Sequence, residues 1–162
     1  MLRMPTVGPA FAELDDELVR HRGPGRAPLF DVVDGVAPDA DIAAPPRLLP
    51  MWDSVLLAHV DRTRIIDDSV RSVVIRSNGD VLPTVLVDGR VAGVWRTVPD
   101  GVEVRSFAPG GASWSRGVWE GIESEVHRLA AFAGERRPII DDRYSRWWAD
   151  VPSTETRLLP LR

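Results

Sequence analysis

NGDVLPTVLVDGRVAGVWRTVPDGVEVRSF, Asn78 to Phe107, is the stretch whose reading decides the fold. Asn78-Gly79, Asp88-Gly89 and Asp100-Gly101 stand 10 and 12 residues apart. Each favours positive φ, the backbone that tight hairpins require. Between and around them lie runs rich in Val and Trp: 71–76, 81–87, 91–98 and 102–107. Such runs, bounded by turn dipeptides, predict a four-strand antiparallel meander. Alternation places Val85 and Val87 on one face, and likewise Val91, Gly93 and Trp95. Pro83 lacks a backbone donor, so its strand should carry an edge or a bulge there.

Downstream, Val118, Ile122, Val126, Leu129 and Ala133 recur at helical spacing, and the pattern predicts a helix over 116–133 with a core-facing stripe. Ser115 suits the N-cap and Gly134 the C-terminal stop. Residues 135–162 read as a tail whose Trp147-Trp148 pair is too apolar to stay in water, so part of it should dock. Upstream, Phe11, Leu14, Leu18 and Val19 suggest an amphipathic helix over 10–23, ended by Gly23, Pro24 and Gly25. Leu29–Val33 is a short apolar run before the turn signal Asp34-Gly35, and 36–46 is a Pro- and Ala-rich connector. In 47–66, Leu48 and Leu49 suit a strand, while Leu56, Leu57 and Val60 suit a short helical turn. The expected class is α+β: a small antiparallel sheet or barrel (meander) with one packed C-terminal helix. Extra strands from 29–33 and 47–66 would curl the sheet. The chain is thus expected to fall into three segments: 1–46, 47–134 and the tail 135–162.

The 162 residues suffice for one domain with a real core. Cysteine is absent, which excludes disulfides, thiol catalysis and Cys-ligated metals and accords with a reducing cytoplasm. No apolar stretch nears the roughly 18 residues of a membrane span, and no signal-peptide core precedes the first helix. No cofactor motif stands out: the GPG and PGG segments lack the strand–turn–helix context and the Lys of a phosphate cradle. The net charge is −4 and all 20 basic residues are Arg. A duplex-binding chain usually shows a basic excess, so any DNA contact must come from a local cluster and should be weak.

Two stretches carry a family resemblance, RLLPMWDSVLLAHVDRTRII (47–66) and NGDVLPTVLVDGRVAGVWR (78–96). The elements LLP-x-x-D, DR-x-R, PTVLVDGR and G-x-W-R occur in order. Together they resemble the C-terminal β domain of winged-helix DNA-binding proteins, the group that includes AlkZ-like DNA glycosylases, over about 18–134. The resemblance implies that 18–35 is the remnant of a last winged-helix unit, and that winged-helix units precede this region in longer relatives. It also implies a catalytic Gln-x-Gln or Gln-x-Asp pair in that preceding region. This chain contains no Gln, so the expectation is a non-catalytic part of a DNA-processing protein.

Among candidate chemistry, His59 with Asp61 and Asp53 reads either as a base oriented by a carboxylate or as a turn network. One His and two Asp lack the ligand spacing of a zinc site, so no metal is expected. Asp53, His59, Asp61, Asp88, Gly89, Trp95 and Arg96 are read as a structural signature. Arg62, Arg64, Arg71 and Arg76 are the best phosphate candidates, with Arg62 and Arg64 leading because they flank Thr63 on one face of an extended chain. Trp52 and Trp95 suit either base stacking or core, and the alternation around Trp95 favours core. Trp147-Trp148, beside Arg143, Tyr144 and Arg146, suits a strand-binding or docking role; Asp141-Asp142 is a weak metal pair. The first expected function is a non-catalytic DNA-binding or accessory domain. Alternatives are an interaction fragment that dimerises through Phe11, Leu14, Leu18 and the tail tryptophans, or docks on a winged-helix partner, and a part of a DNA glycosylase acting on alkylated DNA.

Overall fold

The computed structural model describes residues 7–23, 26, 28–36, 39, 41–107, 111–134 and 144–161. The chain divides into two compact units, Met1–Ile42 and Ala43–Arg162.

In the first unit, helix α1 (Val7–Glu13) leads through a 3₁₀ turn (Asp15–Glu17) into strand β1 (Leu18–Arg22). β1 pairs antiparallel with β2 (Pro28–Val32), Arg20 opposite Phe30. The helix expected over 10–23 is therefore shorter. Its second half pairs across the Gly-Pro-Gly segment, and cross-strand hydrogen bonding overrides a weak helical period. Phe11 stacks on Phe30 at 4.7 Å. The Asp34-Gly35 turn forms, with the Gly35 N–H donating to Val32 O at 2.9 Å.

The second unit is built on a five-stranded antiparallel sheet of order β3-β4-β5-β6-β7. The strands are β3 (Arg47–Leu49), β4 (Thr84–Val87), β5 (Arg90–Val98), β6 (Gly101–Ser106) and β7 (Glu155–Leu159). Among the described residues the sheet stays open, with β3 and β7 at its edges, so the barrel alternative is not realised. Residues 28–32 pair with β1 instead of extending this sheet.

Two of the three turn dipeptides act differently from the simple hairpin reading. Asp88 (φ 49) and Gly89 (φ 73) form the expected two-residue turn between β4 and β5. Asn78-Gly79 also turns the chain, but its first arm is helical: residues 71–76 are not a strand. Helix α3 (Asp68–Val74) takes most of them, capped by Asp67, which accepts from Ser69 N at 2.9 Å. Val70, Val73 and Val74 keep helical spacing, and burial of Val74 outweighs the β preference of valine. Only an Ile75–Val81 bridge remains of that strand pair. At the third turn Val98 pairs with Gly101, so Gly101 already belongs to β6. A Cβ there would lie 2.1 Å from Leu159 O, so glycine is needed for close approach to β7.

The irregularity expected near Pro83 lies a few residues on. The register shifts between Val85 and Leu86, because Val85 faces Gly93 while Leu86 faces Val91. Ala92 is the extra residue of a bulge, and a bulge exchanges the sides on which later residues of its strand fall. Val91 consequently joins one core and Trp95 the other, so the expected common face of the two is not formed.

The two cores lie on the two faces of the sheet. One packs helix α4 (Arg116–Ala133), through Trp119, Ile122 and Val126, on Leu48, Val85, Trp95, Val102, Val104 and Leu159. Ser115 caps α4 and Gly134 (φ 57) ends it, as expected. The other face carries Leu82 and Val94 and is covered by Leu56 of helix α2 (Ser54–Leu57), Val74 of α3, and Trp147 and Trp148 of helix α5 (Ser145–Ala149). The tail segment 144–161 thus supplies an edge strand and two core tryptophans. No helix among the described residues is long and apolar enough to cross a membrane.

Candidate functional site

The first motif builds a turn network. The Asp53 carboxylate caps α2, accepting from Val55 N at 2.8 Å. Asp61 accepts from the Thr63 backbone N–H at 2.9 Å and its hydroxyl at 2.7 Å. These bonds, with Arg64 nearby, hold the Asp61 carboxyl below the ordinary carboxylate range. Asp67 is held low in the same way by Ser69, with help from Arg90. His59 is exposed beside them. With Asp53 and Asp61 engaged in caps, the base-and-orienter pair is not assembled. Among the described residues no group of three or more His, Asp or Glu side chains is placed to hold a metal. Asp141, Asp142 and Arg143 lie outside the described residues.

The four phosphate candidates separate. Arg62 is half-buried and its Nε donates to Leu56 O, tying the chain after α2 back onto that helix. Arg64 is exposed, and its carbonyl accepts from Arg90 Nη1 at 3.1 Å. Arg71 lies on α3, 4.0 Å from Asp68. The guanidinium of Arg76 sits over the Trp147 ring, 4.3 Å from its centroid. Trp147 Nε1 donates to Val73 O at 2.9 Å.

The tryptophans are mostly core. Trp95 is buried and donates to Leu49 O at 2.9 Å, stapling β3 to the sheet. The guanidinia of Arg96 and Arg105 both lie over the Trp148 ring, each 4.8 Å from its centroid. Glu103 gathers the group: it accepts from Arg96 Nε at 2.8 Å, Arg105 Nε at 3.0 Å and Trp148 Nε1 at 3.2 Å. Burial pushes the Glu103 carboxyl up, but those three donors outweigh it and hold it below the ordinary value. Trp52 remains exposed, at positive φ (55°), edge-on to Tyr144 at 6.4 Å.

Sequence reasoning missed two cationic groups. Arg20, Arg22 and Arg26 are exposed at the end of the β1–β2 ribbon; the signal was present in RHRGPGR, read as a helix end and, by resemblance, as the wing of a winged-helix remnant or the strand leaving it, but not as a cationic group. Arg90 is exposed at the start of β5 and backs Arg64. By contrast, the arginines around α4 have carboxylate partners: Arg47 and Arg128 share Glu125 (3.5 and 2.6 Å), and Arg116 takes Glu120 (2.7 Å). Arg157, on β7, takes Glu155 (2.7 Å). Among the described residues, Arg20, Arg22, Arg26, Arg64, Arg76 and Arg90 form no such pair.

A family model described as DNA glycosylase AlkZ-like matches residues 1–132. Among solved structures, the Streptomyces sahachiroi DNA glycosylase AlkZ superposes with a TM-score of 0.64 at 26% identity. The match covers 86% of this chain but 37% of that one, so the chain spans little more than a third of its length. No curated protein matches.

Proposed function

The chain belongs to the AlkZ-like DNA glycosylase family, and from that membership we propose that it is a DNA-contacting accessory part that carries no glycosylase chemistry of its own. The observation that carries this reading is the uneven pairing of arginines. Those around α4 are paired with glutamates, Arg47 and Arg128 sharing one, while Arg64 and Arg90 in one unit and Arg20, Arg22 and Arg26 in the other are exposed and form no ion pair among the described residues. Phosphate neutralisation supplies most non-specific DNA affinity, so these are the groups that would meet the backbone. Arg71 joins them, since its pairing with Asp68 is long and exposed.

The non-catalytic half of the reading is supported by composition and by the turn network. The sequence has no glutamine, and the two carboxylates of the His59 motif, Asp53 and Asp61, accept backbone N–H bonds of a helix cap and a turn. Glycosylase activity would then reside in the part of such proteins that this chain does not cover.

Duplex binding should be weak, with log K falling against log salt at a slope near −3 for about three or four phosphate contacts. Replacing Arg64 and Arg71 together by Ala should flatten that slope by about 2. Release of alkylated bases by the purified chain would overturn the reading, as would tight binding that ignores salt.

A second reading, self-association, has its own observation. None of residues 11–23 and 28–36 is buried, and Leu29, Phe30 and Val32 are 41%, 43% and 57% exposed. Exposed apolar surface of this kind tends to be covered, and a second copy is the simplest cover. Light scattering should then give twice the 17.9 kDa chain mass, with Phe30→Ser shifting it toward monomer. Trp147 and Trp148, first expected to share this role, are core residues and drop out of it.

A further inference from the structure

Where β5 bulges at Ala92, the second unit opens a cleft of about 420 Å³. Its apolar side is formed by Val91, Phe107 and Trp114, and its polar side by Asp67, Arg90 and Ser113. This volume lies low in the roughly 300–1,000 Å³ range of small-ligand sites, the scale of one nucleotide rather than of a peptide or a duplex. Bulges often re-aim side chains beside sites, and this one sends Val91 to the face opposite Trp95.

The walls are held in place before anything binds. Trp114 packs on Trp119 at 4.9 Å. Its ring also fills the space over Gly93, where a Cβ would lie 2.9 Å from Trp114 Cη2. Arg90 is anchored through Nη1 to Arg64 O at 3.1 Å, which leaves its other N–H groups open. Asp67 uses Oδ1 for Ser69 N and Oγ. One guanidinium and one carboxylate therefore share a pocket with the half-buried Trp114, over a floor that includes the core residues Val91 and Phe107.

That combination discriminates among ligand classes. A bare phosphate would meet the Asp67 carboxylate, a metal ion would meet Arg90, and an apolar ligand would bury both charges without partners. A planar heterocycle suits all of them. Its face stacks on an aromatic ring, and its edge offers acceptors to the arginine and donors to the carboxylate. Exposed Arg64 beside Arg90 supplies the cation for an attached phosphate.

We propose that this cleft receives one unpaired nucleotide of DNA, its base against Trp114 and its edge toward Arg90 and Asp67. The proposal rests on the DNA-contacting reading above and deepens it. The test uses the full chain and three short duplexes of equal length, read by fluorescence anisotropy: fully paired, with one bulged purine nucleotide, and with one bulged abasic nucleotide. The abasic bulge keeps the kink and removes the base. The expected result is about tenfold tighter binding of the purine bulge than of the abasic one. Ala112→Phe, which fills the cleft from an exposed position, should erase that difference while leaving paired-duplex binding within about twofold to threefold; Arg90→Gln should erase it too, while weakening all three duplexes alike through the loss of one backbone contact. Equal binding of the two bulges, or a purine preference that survives both substitutions, overturns the cleft and leaves the DNA reading standing. Absence of binding to all three duplexes overturns both.

Discussion

Arginines in two regions of the second unit keep different company. Around α4, Arg47, Arg116 and Arg128 each meet a glutamate, so that side of the sheet presents little net charge despite many basic residues. Along 61–90, three arginines meet carbonyls and rings instead: Arg62 holds Leu56 O, Arg90 holds Arg64 O, and Arg76 covers Trp147. Arg71 keeps only a long, exposed pair with Asp68. Carbonyls and rings orient a guanidinium without cancelling its charge. A chain of net charge −4 can therefore still present a local cationic surface, and composition alone does not locate it.

The largest effect should come from a buried residue of the core on the 61–90 side of the sheet. Trp148 is 2% exposed and its ring is contacted by Arg96 and Arg105. Trp148→Ala should cost about 3–5 kcal/mol in denaturant unfolding, with no change in light-scattering mass. A mass change with little loss of stability would instead make the tail an association surface.

Glu103 comes next, because it is what keeps Arg96 and Arg105 out of the cationic set. Glu103→Gln keeps the shape and leaves two guanidinia without their counter-charge. The expected cost is about 2 kcal/mol, less than for a fully buried pair since the carboxylate is not wholly enclosed. The pH dependence has a definite sign. The Glu103 carboxyl titrates lower in the folded chain than in the unfolded one, so the unfolded state binds its proton first. Its stabilisation is full above the ordinary glutamate value of about 4.3 and is lost as pH falls from there through the folded value. The variant should lose that part of the acid limb. An unchanged limb would mean that Asp61 and Asp67, shifted in the same direction, account for it.

Much of this was legible in the sequence, and the misses share a cause. The α4 stripe with Ser115 and Gly134, the Asp88-Gly89 hairpin and the short pieces at 47–57 are local patterns, and local patterns are read from spacing. Pairing partners are not. Nothing in ETRLL says that it joins β6, and only the need for Gly101 to approach Leu159 hints at it. The 71–76 segment was misread because its valines suggest a strand, although Val70, Val73 and Val74 keep a helical period behind an Asp cap. For the candidate site, residue type placed the arginines in view, but which of them is spent inside the fold depends on Glu103, Leu56 O and Trp147, all contacts between distant segments or across a turn.

The smallest effect sharpens the comparison most, because it separates two arginines two positions apart. Arg62 and Arg64 looked equivalent on an extended chain, flanking Thr63 on a common face. In the folded chain Arg62 is half-buried and bonded to Leu56 O, while Arg64 is exposed and only its carbonyl is engaged. Arg62→Ala should therefore cost about 1–2 kcal/mol of stability, the worth of a hydrogen bond from a charged donor, and leave the salt slope of duplex binding unchanged. Arg64→Ala should do the reverse: stability within error of the parent chain, with the slope flatter by about 1. The two variants carry the same change in net charge, so a general electrostatic effect would move both slopes together. Equal slopes in both variants would place the phosphate contacts elsewhere, and the ribbon arginines Arg20, Arg22 and Arg26 would be the next to replace.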